Sequence, residues 1–83
     1  MLSIAMKQKN YLIADLKKIF KKELKVSVKE NGKIYDFIQW DSLGNFNILL
    51  ACEKKFKIKF TNNQFTTVQS FEGINKAIIK KLK

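Results

Sequence analysis

The chain has no histidine and no arginine, and Cys52 is its single cysteine. Without imidazole the usual general base is missing, and so are the serine triads built on it and most zinc sites. An autonomous hydrolase is therefore disfavoured, and no enzyme activity, catalytic residue or metal ligand is assigned. One cysteine cannot make an internal disulfide or a multi-cysteine metal site, which suits a reducing compartment such as the cytoplasm. All 17 basic residues are lysine. Arginine supplies the planar fork that reads guanine edges and clamps phosphates, so its absence argues against specific nucleic-acid recognition and leaves only loose electrostatic binding open. Long hydrophobic runs are also missing. Met1-Leu2-Ser3-Ile4-Ala5-Met6 is too short for a secretory signal and has no basic residue before it, and no later stretch approaches a membrane span. The expectation is a soluble, unprocessed, monomeric cytoplasmic protein.

What is present is a small and very basic chain. At 83 residues with 46% hydrophobic content it reads as one domain, residues 1–83, just above the size at which a core alone suffices. A formal charge of +10 and a pI near 9.9 invite polyanion binding, because counterion release rewards a basic surface laid on phosphates.

From about Lys7 to Leu24 the residues Leu12, Ile13, Leu16, Ile19, Phe20 and Leu24 share one arc of a helical wheel. Lys17, Lys18, Lys21, Lys22 and Lys25 share the other, making an amphipathic helix whose lysine face is most simply a solvated exterior. A membrane-surface helix or a polyanion grip is the sharper reading of that face. Val26, Val28, Asn31 and Gly32 break the period and open a long loop, in which Ile34, Phe37, Ile38 and Trp40 are spaced to dip into the core and one short helical turn has room. A second helix runs from Asp41 or Ser42 to about Lys55. Lys57 to Phe60 alternate like a strand but have no partner strand, so an extended connector is expected. Asn62 and Asn63 mark a turn, Gln64 to Thr67 form a short helix, and Ser70 caps a final helix with Phe71, Ile74, Ala77, Ile78 and Leu82 on one side. The fold class is all-α, a small three-to-four-helix bundle with a long loop between helices one and two.

The second helix carries more oil than a core needs. Asp41 and Ser42 are ordinary helix-starting residues, but Leu43, Phe46, Ile48, Leu49, Leu50, Cys52 and Phe56 cover well over half its circumference. Leu43, Phe46 and Leu50 form a strip distinct from Ile48, Leu49, Cys52 and Phe56. Either all seven are core, since a small bundle can wrap its central helix widely, or the first strip serves another molecule. Cys52 reads as a small buried apolar residue.

In this setting Asp41-Ser42-Leu43 at the mouth of the second helix resembles the attachment motif of the acyl carrier protein family, including the peptidyl and D-alanyl carriers. The likeness continues through Glu53-Lys54-Lys55-Phe56, Ile58, Thr66-Thr67-Val68 and the closing amphipathic helix, from about residue 7 onward. It implies phosphopantetheine joined covalently to Ser42 as a phosphodiester, with Asp41 and Leu43 flanking the site, and an arm whose thiol carries acyl or aminoacyl cargo as a thioester. The implied partners are a phosphopantetheinyl transferase, a loading enzyme for the acyl or aminoacyl group and downstream transferases, with Leu43, Phe46 and Leu50 as partner contacts. A serine at the first turn suits this use, because free backbone N–H groups and the helix dipole favour an arriving phosphate. No catalytic histidine is needed, because the transferase activates the serine.

The chain departs from the family in charge. Fatty-acid carriers present carboxylates on this helix, whereas here Gly44, Asn45, Asn47, Lys54 and Lys55 occupy it and only Asp41 and Glu53 remain acidic. Like charges facing each other slow encounter, so the implied role is a specialised pathway with acidic or apolar partner surfaces rather than general fatty-acid synthesis. Two other readings compete. One is a carrier-like interaction module that is never modified. The other is a small polyanion-binding protein using the lysines and exposed Phe56 and Phe60 to hold single-stranded nucleic acid or anionic lipid. The two phenylalanines must be exposed in the last reading and buried in the first.

Overall fold

The computed structural model describes the backbone of residues 2–82 and the side chains of residues 12–82. Four helices follow one another: α1 (Leu2–Leu24), α2 (Ser42–Phe56), α3 (Asn62–Thr67) and α4 (Phe71–Leu82). No strand occurs among the described residues; the sole strand-like pairing is an isolated antiparallel bridge, Lys33 to Ser70. The fold is thus an all-α small helical bundle, and among the described residues no helix is long and apolar enough to cross a membrane.

The apolar periodicity sets which faces meet. Leu12, Leu16, Phe20 and Leu24 of α1 are buried at spacings of four, against Ile48, Leu49 and Cys52 of α2 and Phe71, Ile74 and Ile78 of α4. Ile13 and Ile19 pack at the edge of this core, and Lys17, Lys18, Lys21, Lys22 and Lys25 are exposed as their arc predicts. Phe20 is the hub: its ring meets Trp40 edge-on at 4.8 Å and lies 5.5 Å from Phe71.

Four expectations need correction. The first helix starts at Leu2 rather than about Lys7, because nothing in the first residues breaks the helix. The short helix starts at Asn62 rather than Gln64. Thr61 accepts the Gln64 amide at 3.1 Å and the Gln64 side chain accepts the Thr61 amide at 2.9 Å, a capping box that places Asn62 and Asn63 inside the first turn. Phe37 and Ile38 do not dip into the core: Ile38 is 94% exposed, while Trp40 is fully buried and Ile34 packs against the core edge. No helical turn forms there; Trp40 N–H donates to the Phe37 carbonyl at 3.0 Å, a tight turn that throws residues 37 and 38 outward and draws 40 in. At the chain's other end Leu82 is exposed, one turn beyond Ile78, the last buried residue of α4.

The loop over residues 25–41 is fixed at three places. Ile34 N–H donates to Gln69 at 2.8 Å, Phe71 N–H donates to Gly32 at 3.0 Å, and Trp40 sits in the core. A buried polar link joins it to α2 and to the α3–α4 junction: Trp40 Nε1 donates to Asn45 Oδ1 at 3.0 Å, and Asn45 Nδ2 donates to the Val68 carbonyl at 2.9 Å. Every strong donor and acceptor buried there finds a partner, as a dry interior requires.

Candidate functional site

The site is the start of α2. Asp41 is its N-cap, in extended conformation, with Oδ1 accepting the Gly44 amide at 2.8 Å and its own carbonyl accepting the Asn45 amide at 2.8 Å. Capping therefore accounts for Asp41 and leaves Ser42 free of that duty. Ser42 is the first helical residue and is exposed. The amides of Ser42 and Leu43, at the first two helical positions, have no intrahelical acceptor, and the positive end of the dipole lies here.

The Ser42 hydroxyl has one side-chain partner. Tyr35 Oη stands 2.8 Å from Ser42 Oγ, with either able to donate. Tyr35 holds a left-handed backbone, φ 74, and its amide donates to the Trp40 carbonyl at 2.6 Å. A tyrosine rarely adopts that conformation unless its surroundings hold it there. Sequence reasoning missed Tyr35, since no periodicity relates positions 35 and 42.

Gly44 brings the loop and the helix together. A Cβ there would collide with the backbone carbonyl of Gln39 and crowd Leu24. The residue is required by close approach, since its φ is ordinary.

Next to Ser42 stand two exposed, largely apolar side chains, Leu43 at 68% and Tyr35 at 67% exposure. Leu43, Phe46 and Leu50 are all exposed, while Ile48, Leu49 and Cys52 are buried and Phe56 packs against the core edge. The two strips of α2 thus separate as their phases predict. Phe46 also leans on α3, with its ring 5.0 Å from Phe65.

Three residues bear on the rival chemistries. Phe60 is buried and Phe56 partly so, and Lys81 Nζ lies over the Phe60 ring at 5.6 Å. Burial pushes the Cys52 thiol up to about 12, so it is protonated and inert at neutral pH. Among the described residues no group of three or more acidic, cysteine or histidine side chains could hold a metal ion.

No protein-family model matches the chain, and no curated protein matches it.

Proposed function

We propose that this protein is a carrier that tethers acyl or aminoacyl intermediates through phosphopantetheine on Ser42, in a specialised pathway whose enzymes offer acidic or apolar surfaces. The observation that carries the reading is the exposed Ser42 hydroxyl at the first position of α2, behind an acidic N-cap and beside an uncovered apolar strip. These residues fit the group: the hydroxyl is exposed, the Ser42 and Leu43 amides have no intrahelical acceptor and can receive a phosphate, and Tyr35 Oη stands 2.8 Å from the Ser42 oxygen. When bound, the arm supplies a thiol that holds cargo as a thioester. The chain's own part is to present Ser42, orient its oxygen and offer Leu43, Phe46 and Leu50 to visiting enzymes.

Incubation with coenzyme A and a broad-specificity phosphopantetheinyl transferase is expected to add one phosphopantetheine by intact-mass measurement. Ser42→Ala is expected to abolish the gain. If no transferase modifies the folded protein, the carrier reading gives way to an interaction module that keeps the fold without the arm.

The polyanion reading is the weaker one, on a specific observation. Its stacking residues, Phe56 and Phe60, are turned into the bundle rather than offered to bases.

A further inference from the structure

A groove of about 1160 Å³ runs along the outer seam between α1 and α2 and ends at the connector after α2. Lys18 and Lys22 of α1, Lys54 and Lys55 of α2, and Lys57 and Lys59 of the connector line it. Six of its fourteen lining residues are lysine against 17 of 83 in the chain, so the groove gathers lysine beyond the chain's already basic share. Among the described residues the ion pairs are Lys17–Glu30 and Lys76–Glu72, so none of these six pairs with a carboxylate of a described residue. Asp15, Glu23 and Glu53 also line the groove, but Glu53 is committed to the Phe60 amide at 2.8 Å. Between the lysines lie Ile19, Leu50, Ala51 and Ile58.

We propose that this groove docks an acidic amphipathic helix of a partner protein. Its apolar face would rest on Ile19, Leu50, Ala51 and Ile58, and its flanking carboxylates would meet the lysines. The walls are long enough for about two turns of a helix. The α1 wall from Asp15 to Glu23 and the α2 wall from Asn47 to Lys55 each extend about 12 Å, or roughly two turns. Nucleic acid fits less well, because the groove contains no aromatic ring to stack on a base and no arginine to fork a phosphate. A bilayer fits less well too, because Ile19, Ala51 and Ile58 are only partly exposed and leave little apolar surface to insert. Leu50 belongs both to this groove and to the exposed strip of α2. The inference does not require Ser42 to be modified.

The test uses the whole chain and a synthetic helical peptide of about 14 residues, with leucines at helical spacing flanked by glutamates. Backbone NMR titration is expected to shift Ile19, Leu50, Ala51 and Ile58, equally in Ser42→Ala. Replacing the peptide's leucines by glutamine, or making Lys22→Glu and Lys54→Glu together in the protein, is expected to weaken binding by about tenfold or more. Both lysines are exposed, and circular dichroism checks that the variant is folded. No binding, shifts away from the groove, or indifference to either change would overturn the proposal. It is equally overturned if an oligothymidylate or a phosphatidylserine vesicle binds the groove more tightly than the peptide does.

Discussion

Tyr35 and Ser42 meet through two hydroxyls on the surface, a contact whose value lies in orientation more than stability. An exposed neutral hydrogen bond adds little to folding, but it selects a rotamer for Ser42 Oγ, which under the proposed carrier function is the attacking oxygen. Tyr35→Phe is expected to leave the urea midpoint nearly unchanged. Because a hydrogen bond is worth about 0.5–1.5 kcal/mol, under the proposed carrier function it should slow phosphopantetheine transfer by about two- to tenfold. An unchanged transfer rate would show the contact to be incidental. Cys52 makes the opposite case, a reactive group silenced by burial. Its thiol is raised from 9.0 to about 12, so above pH 9 the unfolded chain loses a proton that the folded chain keeps. Stability then falls with pH, by up to about 1.4 kcal/mol per unit relative to Cys52→Ala, over the window from pH 9 to 12. Parallel denaturation curves for the two proteins across that window would refute this.

At the scale of elements, the start of α2 depends on a close approach that helix propensity alone would not reveal. Gly44→Ala ought to stabilise an isolated helix by about 1 kcal/mol. Against the Gln39 carbonyl it is expected instead to destabilise by about 1–3 kcal/mol, measured by urea unfolding, because the loop must shift to admit one carbon. A stabilised variant would remove the reason given for glycine here. The same contrast explains what the sequence made legible. Helices with a one-sided apolar period, α1 and α4, could be placed from their residues, and the two apolar strips of α2 could be told apart by phase. Asn45 could also have been found: with Ile48, Leu49 and Cys52 it falls on the buried stripe, and a polar residue there must have a partner. Thr61-x-x-Gln64 was a readable capping box, overlooked because Asn62-Asn63 looks like a turn. The loop resisted. Which of Ile34, Phe37, Ile38 and Trp40 turn inward is decided by hydrogen bonds to Gln69 and Phe37, contacts that no local pattern encodes.

For the whole molecule the dominant fact is charge. A net +10 on 83 residues is opposed by two exposed ion pairs among the described residues, and surface pairs of that kind contribute little. Self-repulsion therefore weighs against the compact state and should be relieved by screening. The thermal midpoint is expected to rise between low salt and about 0.15 M, where the screening length has dropped to about 8 Å. A falling midpoint would mean that the few attractive pairs outweigh the repulsion. The same excess favours encounter with acidic surfaces over basic ones, because basic patches steer toward opposite charge.

Trp40 is the chain's single indole, fully buried against the edge of Phe20 and two residues from Ser42. The molecule thus has a built-in optical probe beside the start of α2. Excited at wavelengths that the two tyrosines do not absorb, its emission comes from one site alone, so any colour change reads local hydration there with no label attached.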